Sequence, residues 1–409
     1  MQSHHVIARL GLVRWMSILG ATVMAALAVA GYASAGASSA KGVAGTAKAG
    51  CGSVPQLGYH DQSGVLAKLG PSYTSQFNGY ATPIFKSAYA NFKPKGKPPY
   101  TVGVLVSAPL SPTQAALDPM LEHALGTIKG VKKVVELTSG PTALTTQLQQ
   151  AHSLLQQHVS FIVAEPLVPQ PFIPIALAAR KAGIPFISII NATPTRNAIN
   201  IAPNSVGDAL NSGAALAKAI GGKGLVLGVH GIPSTGVDQE SFKGWSAAFK
   251  RCPGITFDTS VVGEFQPSVA KGALLSYLSS HPQPVAGIVE TAGMTSGIIQ
   301  AFQQAGRPVP KIVDMGPAVG ELVYFKSNAS QLADGVTITP SGVTAAAKYT
   351  ITRLIAGHGP KVSELASLSA VFNSSNLSRY IPAGAGLTDE SVVEGPWLPA
   401  SYLSKLFNR

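Results

Sequence analysis

The chain has 409 residues, of which 46% are hydrophobic and only 12% are charged, and its formal net charge is +12. This length exceeds one ordinary domain, and the composition supplies ample apolar material for buried parallel sheets. The excess of basic residues includes no run of Lys and Arg, no zinc-finger spacing and no interleaved aromatic residues. The lack of these features argues against nucleic-acid binding.

The first 35 residues have the pattern of a secretory signal peptide. Arg9 and Arg14 precede an uncharged run from Trp15 to Ala30, and Ala33-Ser34-Ala35 is a small-x-small cleavage pattern before Gly36. We therefore predict export to the periplasm or the cell surface. The alternative is a retained membrane anchor, although the run is a little short for a spanning helix. No later segment has an apolar run of spanning length.

The chain has two cysteines, Cys51 and Cys252. Ala49-Gly50-Cys51 is similar to the end of a bacterial lipoprotein signal, but Lys48 stands where that motif has an aliphatic residue. Cys51 also lies well beyond the apolar run, so lipid anchoring at this residue is not expected. In an exported protein the two cysteines can instead form a disulfide, which would tie the N-terminal extension to the region around Cys252.

Residues 36–99 form a linker and an N-terminal extension. Residues 36–50 are rich in Ala, Gly, Ser and Lys, which is typical of a linker. Residues 52–99 contain more Tyr, Gly and Pro, and they end in Lys93-Pro94-Lys95-Gly96-Lys97-Pro98-Pro99, an extended tether. We expect this extension to lie on the surface of the first folded unit.

The next ninety residues alternate between strand and helix patterns. The predicted strands are 101–107, 134–137, 161–164 and 184–190. One predicted helix ends near residue 126, and two others span 142–158 and 172–182. The clearest unit runs from Phe161 to Asn191: its first strand is bounded by Glu165-Pro166 and its helix ends at Gly183. A strand, a helix and a strand within about 30 residues form a βαβ unit, so the two strands should be parallel neighbours.

The same order of elements returns after residues 192–202, an irregular segment that suits a crossing between lobes. The predicted strands of this second half are 225–229, 255–262, 285–290, 311–315 and 335–339. Its predicted helices are 205–220, one through Phe249, 270–279, 294–305 and 344–356. Ala182-Gly183-Ile184-Pro185 and Ala305-Gly306-Arg307-Pro308 mark equivalent corners. We therefore predict an α/β fold of two similar Rossmann-like lobes with parallel sheets, joined by crossing hinge segments.

The predicted boundaries follow from this order. Residues 100–192 with 340–375 form the first lobe, residues 193–339 form the second lobe, and residues 376–409 form a C-terminal tail. Ligands of open parallel sheets bind outside the carboxyl ends of the strands. Two such lobes place both sets of strand ends across one cleft, and hinge closure over a ligand is the expected motion.

Over about residues 100–361 the chain resembles the type I periplasmic binding proteins, most closely the ribose-binding-like, sugar-type solute receptors of ABC importers. The matching pieces are the opening strand, 161–166 with 182–185, Phe242-Lys243-Gly244-Trp245 before Cys252-Pro253-Gly254-Ile255, and Gly293-Met294-Thr295-Ser296-Gly297 before Ala305-Gly306. The resemblance implies the type I fold, a small-molecule solute as ligand and an ABC permease as membrane partner. It implies a monomer without catalysis, cofactor or metal.

The resemblance also indicates ligand-binding positions in the loops after the strands. They are Ser111, Thr113, Gln114, Asn191, Gln239, Phe265, Thr291, Asp314 and Thr339. Sugar receptors of this family carry Asn and Phe after the first strand, where this chain has the loop 110–114. At the later positions Asp-Arg is replaced by Ile190-Asn191, Arg by Gln239, Asn-Asp by Thr291-Ala292, Asp by Gly316 near Asp314, and Gln by Ile338-Thr339. Only the aromatic Phe265 is retained.

These replacements remove most of the charge-assisted hydrogen bonds that hold a free sugar, each worth about 1.5–3 kcal/mol. We therefore predict a ligand less polar than a pentose, held by amides, hydroxyls and apolar contact.

Three other functions are compatible with parts of this pattern. The loop 228–236 opens a helix and Asp238 and Glu240 lie near His230, but the enzyme motifs for dinucleotides, phosphates, nucleophiles and zinc are missing. A transcriptional regulator needs a DNA-binding head where this chain has a signal peptide and a linker. A receptor that senses a ligand without transport stays open, because the surfaces that bind partners carry no motif.

Overall fold

A computed structural model describes residues 50–109, 111–395 and 397–409. The predicted signal peptide and residues 36–49 of the linker lie outside the described residues. Within the described part of the chain, no helix combines the length and the apolar character needed to cross a membrane.

The N-terminal extension contributes to the hydrophobic core, although the sequence predicts that it only covers the surface. Among its described residues it contains one short α-helix, α1 (Pro71–Thr74). Tyr80 donates its hydroxyl hydrogen to Glu364 Oε2 at 2.7 Å. Five side chains of the extension are buried in the core of the first lobe: Leu66, Phe77, Tyr80, Ile84 and Tyr89. The extension is therefore an integral part of that lobe.

The first sheet has five parallel strands in the order β2-β1-β3-β4-β5. They are β1 (Tyr100–Ser107), β2 (Val131–Ser139), β3 (Phe161–Ala164), β4 (Phe186–Ile189) and β5 (Ala198–Ile201). The helices that connect them are α2 (Pro112–Gly126), α3 (Leu144–Gln156) and α4 (Ile173–Ala182). All residues of β3 and β4 are buried, as the continuous apolar runs predict for strands covered on both faces.

The βαβ unit predicted from residues 161–191 is confirmed. β3 and β4 pair in parallel, with Ile162 opposite Phe186. The connecting helix α4 ends at Gly183, whose φ of 79° is in the left-handed region that glycine adopts without a steric penalty.

β5 corrects the prediction of an irregular crossing at residues 192–202. Its four residues are buried, and it pairs in parallel with β4. Asn200 interrupts the apolar pattern because its side chain donates to Glu364 Oε1 at 2.7 Å and to the carbonyl oxygen of Thr193 at 3.0 Å. The first lobe therefore extends beyond residue 192.

The second sheet has six strands in the order β11-β10-β9-β8-β6-β7, with only β11 antiparallel to its neighbour. They are β6 (Lys223–His230), β7 (Gly254–Val262), β8 (Val285–Glu290), β9 (Lys311–Met315), β10 (Leu332–Thr337) and β11 (Ala370–Phe372). The helices around them are α5 (Ser205–Ala219), α6 (Gly236–Phe249), α7 (Pro267–Ser280), α8 (Thr295–Gln304) and α9 (Val319–Ser327). α9 and β11 have no counterpart in the sequence-based prediction.

The last part of the chain returns to both lobes. α10 (Pro340–Ile355) and α11 (Ala400–Leu406) pack in the core of the first lobe. By contrast β11 belongs to the second sheet, and Leu377 and Val393 pack in the core of the second lobe. The segments 340–375 and 376–409 are therefore each divided between the lobes, which corrects the predicted boundaries.

The two cysteines form a disulfide. The Cα atoms of Cys51 and Cys252 are 4.7 Å apart, and Cys252 is buried in a hydrophobic cluster of the second lobe. The start of the extension is therefore covalently attached to the second lobe, while the rest of the extension packs into the first.

Candidate ligand-binding site

A cleft lies at the carboxyl ends of the strands of both sheets. It contains about 950 Å³ of space between its atoms, including a part open to solvent. The first lobe lines it with the loops after β1 to β4 and the second lobe with the ends of β6 to β10. The position is the one at which open parallel sheets bind ligands.

Residues from both lobes line the cleft. Those of the first lobe are Ser111, Thr113, Gln114, Leu117, Pro141, Glu165, Pro166, Leu167, Ile190 and Asn191. Those of the second lobe and of the crossing after β10 are Ile232, Thr235, Val237, Phe265, Thr291, Ala292, Met315, Gly316, Val336 and Ile338.

The structure brings six of the nine predicted site residues to this cleft. They are Ser111, Thr113, Gln114, Asn191, Phe265 and Thr291. Gln239 is exposed on the outer face of α6, where its Nε2 donates to the carbonyl oxygen of Pro233 at 3.1 Å. Asp314 and Thr339 are fully buried and do not line the cleft. Their neighbours Met315 and Ile338 line it instead, because successive side chains of an extended chain alternate in direction.

Sequence reasoning missed Glu165, the one ionisable residue among the described residues that line the cleft. The sequence marks Glu165-Pro166 as the end of a strand, and this position at a strand's carboxyl end was the available signal. The side chain is 4% exposed. Its Oε1 accepts a hydrogen bond from Gln114 Nε2 at 3.0 Å, and its Oε2 receives none from the described residues.

The loop that carries Glu165 is fixed from below by Gln147 of α3. This fully buried amide donates its Nε2 hydrogen to the carbonyl oxygen of Glu165 at 2.8 Å, and its Oε1 accepts from the N–H of Leu167 at 2.9 Å. Burial raises the pKa of the Glu165 carboxyl, and the hydrogen bond from Gln114 opposes this rise. Burial, followed by the charges of Glu165 and Glu136, raises the pKa of Asp118 to about 7.

Ile190 and Asn191 form a constrained turn at the rim of the first lobe. Ile190 has a φ of 63°, a left-handed conformation that is unfavourable for a β-branched residue. Ser188 supports the turn by donating its hydroxyl hydrogen to the carbonyl oxygen of Asn191 at 2.7 Å. Asn191 Oδ1 accepts no hydrogen bond from the described residues, and a Cβ added to Gly236 would lie 2.9 Å from it. The two lobes therefore approach closely here.

Phe265 forms part of the opposite wall. It has a φ of 60°, and its aromatic ring lies directly over Gly231, where a Cβ would be 1.9 Å from a ring carbon. Any side chain at residue 231 would displace the ring. The glycine therefore determines how Phe265 is presented to the cleft.

A hydrogen-bonded network fixes the loop after β6. The N–H of Gly231 donates to Asp238 Oδ1 at 2.8 Å and to Thr291 Oγ1 at 2.7 Å, and Thr291 donates its hydroxyl hydrogen to Asp238 at 3.1 Å. Asp238 Oδ2 and His230 Nδ1 are 2.7 Å apart, and the imidazole stacks on Phe242 with a centroid distance of 3.4 Å. His230 and Asp238, two of the acid and base residues noted in the sequence, are therefore bonded to each other in this network.

Three further carboxyl groups lie beneath the second wall. Glu290 accepts from the N–H groups of Ala292, Met294 and Met315 at 2.9, 3.2 and 2.8 Å, and it thereby joins the loops after β8 and β9. Glu321 accepts from the N–H groups of Ser296 and Ala318 at 2.6 and 2.9 Å. Glu290 and Glu321 thus support the wall from below, and neither they nor the third group, Asp314, line the cleft.

Burial is the main cause of the raised pKa values in this group. It raises the pKa of Asp314 well above its usual range, with further contributions from the charges of Glu321 and Glu290. Burial and the charge of Glu321 likewise raise the pKa of Glu290. Among the described residues, no group of three or more His, Cys, Asp or Glu side chains has the arrangement of a metal site.

Comparisons with known proteins agree with this geometry. A family model described as "Periplasmic binding protein domain" matches residues 102–359. The xylitol-binding protein of Mycolicibacterium smegmatis (strain ATCC 700084 / mc(2)155) is 24% identical over 208 residues, which are 50% of this chain and 60% of that relative. The match thus spans less than two thirds of the relative's length.

Two solved structures share the fold. An ABC transporter solute binding protein from Thermobispora bispora DSM 43833 has a TM-score of 0.66 at 19% identity, covering 75% of this chain and 94% of that one. An ABC transporter solute binding protein from Mycobacterium smegmatis with bound glycerol has a TM-score of 0.63 at 18% identity, covering 72% and 99%.

Proposed function

The chain belongs to the periplasmic binding protein family, and on that premise we propose that it captures a small solute between its lobes and delivers it to an ABC permease in the membrane. As a member of this family it is a binding protein and not an enzyme. The observation that carries the proposal is the single cleft to which the strand ends of both sheets contribute.

The proposed ligand is less polar than a free sugar. The cleft contains no arginine, lysine or histidine among its described lining residues, so the charge-assisted donors that grip sugar hydroxyls are missing. Most of the lining side chains are aliphatic or aromatic instead. The six predicted residues that reach the cleft, from Ser111 to Thr291, are proposed as ligand contacts.

The proposed location is extracytoplasmic, and the proposed form is a monomer. The signal-peptide pattern of residues 1–35 supports export, and the Cys51–Cys252 disulfide is consistent with an oxidising compartment. A transport role requires that the protein meet its permease outside the cytoplasm.

A thermal-shift screen of the purified protein tests this function. The library contains sugars, polyols, aromatic acids and small amines, each at several concentrations. A ligand present at 100 times its Kd stabilises the folded state by about 2.7 kcal/mol, which gives a measurable rise in Tm. A saturable shift with an unchanged ligand supports a receptor. Conversion of the ligand, seen by mass spectrometry, or the lack of any shift counts against it.

A further inference from the structure

The two walls of the cleft differ in chemistry. On the wall of the first lobe five polar residues, Ser111, Thr113, Gln114, Glu165 and Asn191, lie among five apolar ones, whereas on that of the second lobe apolar side chains such as Ile232, Val237, Phe265 and Met315 predominate. Thr291, a polar residue of the second wall, already exchanges hydrogen bonds with Gly231 and Asp238. A ligand that fills the cleft therefore meets most of the polar groups on one side and mainly apolar groups on the other.

The unsatisfied groups on the polar wall are acceptors. Glu165 Oε2 and Asn191 Oδ1 are buried oxygens that receive no hydrogen bond from the described residues. A carboxylate and an amide oxygen only accept, whereas the hydroxyls of Ser111 and Thr113 can donate or accept. Leaving buried acceptors without a donor costs about 1–3 kcal/mol each, so the ligand should supply donors at this end.

The carboxyl group of Glu165 also has no compensating cation on the lining. The side chain is 4% exposed, and the described residues around the cleft include no lysine, arginine or histidine. A buried carboxylate is stable when it is paired with a positive charge or with several donors. Gln114 supplies one donor to Oε1, and Oε2 remains for the ligand.

We propose that the ligand is a small amphiphilic amine, whose ammonium group binds Glu165 and Asn191 while its apolar body lies against Phe265 and Met315. This inference rests on the proposed solute-binding function and specifies its ligand. An ammonium group offers three donors and no acceptor, which matches the free oxygens of the polar wall. A polyol brings an acceptor with every donor and has much less apolar surface for the second wall.

Four probes of related size test the proposal by calorimetry and thermal shift on the whole protein. They are cyclohexylmethylamine, cyclohexylmethanol, cyclohexanecarboxylate and xylitol. The expected order at neutral pH is the amine first, the alcohol about 10- to 100-fold weaker, and the carboxylate without binding. Tighter or equal binding of the alcohol or of xylitol overturns the proposal and leaves the receptor function standing.

Variants at Glu165 sharpen the test. Glu165→Gln should weaken the amine about 10- to 100-fold and the alcohol less than about threefold, while Glu165→Asp should retain the preference for the amine. Glu122→Gln is the matched control, because this exposed residue of α2 loses the same charge outside the cleft. An amine affinity that does not change in Glu165→Gln overturns the proposal. If Glu165→Gln does not fold, the order of the four probe affinities in the unaltered protein decides the test.

The outcomes separate this proposal from the function on which it rests. If none of the four probes binds but the wider library yields another solute, the amine proposal fails and the receptor function holds. If no solute of any class binds, both fail.

Discussion

Around the cleft, the carboxyl group of Glu165 and those of Glu290 and Glu321 have opposite roles. In the first lobe Glu165 lies at the cleft with one oxygen free of hydrogen bonds from the described residues. In the second lobe Glu290 and Glu321 lie beneath the cleft, and their oxygens accept backbone N–H groups from the loops above. The same residue type thus provides a contact surface on one side and support on the other. The difference is the source of the hydrogen-bond donors: backbone N–H groups of the loops for Glu290 and Glu321, and the proposed ligand for Glu165.

Removing a supporting carboxylate should have the largest effect. Glu290→Leu leaves three N–H groups, two of them buried, without their acceptor, so we expect the free energy of unfolding to fall by about 3–5 kcal/mol. Urea denaturation followed by circular dichroism measures this. Glu165→Leu is the comparison, and it should lower stability much less. Equal losses in the two variants would show that the two carboxyl groups have the same role.

Removing the aromatic ring of the apolar wall should have the next largest effect. Phe265→Ala loses the burial of a large side chain, about 1.5–3 kcal/mol, so ligand affinity should fall about 10- to 100-fold. In Phe265→Leu, which keeps an apolar side chain, the ligand affinity should fall less. Both affinities are measured by titration with a ligand from the screen. Unchanged affinity in Phe265→Ala would place the ligand elsewhere.

The pH dependence of stability distinguishes buried carboxyl groups from exposed ones. Burial raises the pKa of Glu364 to about 8 and that of Asp208 to about 7. The unfolded chain ionises near its ordinary pKa of about 4.5 or below. The folded state therefore holds more protons between about pH 4.5 and 8, and stability falls as pH rises through this range.

We expect Tm to fall by a few degrees, roughly, from pH 5 to pH 8. Glu364→Gln cannot titrate, and its Tm should fall less over the same range. A Tm that rises with pH in both proteins contradicts the assignment of raised pKa values.

The smallest effect is expected outside the cleft. Gln239 is exposed and bonds to the carbonyl oxygen of Pro233, so Gln239→Ala should change ligand affinity less than about twofold. Gln114→Ala, which removes the donor to Glu165 Oε1, should change it more. The same titration measures both variants. A larger effect at Gln239 would extend the binding surface beyond the cleft.

The sequence alone predicts most of the fold, because its strands are buried and apolar and its helices end at glycines such as Gly183. It misses β5, where Asn200 breaks the apolar run in order to bind Glu364, a partner that is 164 residues away. It also takes the extension for a surface wrap, because scattered aromatic residues such as Tyr80 and Tyr89 have no period. Their burial depends on contacts with distant segments.

The site is predicted less completely than the fold. Loop positions after the strands are visible in the sequence, and six of the nine candidates reach the cleft. The sequence does not reveal which side chains of a loop or strand end point into the cleft. Val237 lines the cleft and Gln239 does not, and Met315 lines it and Asp314 does not. Glu165 is missed because a carboxylate before proline also marks the end of a strand.

The core of the first lobe contains residues from distant parts of the chain. Leu66 and Tyr89 of the extension pack in the same cluster as Leu406 and Phe407, with the whole second sheet encoded between them. During synthesis the core of this lobe therefore cannot be completed until residue 407 has left the ribosome. A chain that is still growing therefore carries an open apolar surface on this lobe until its last helix, α11, has emerged.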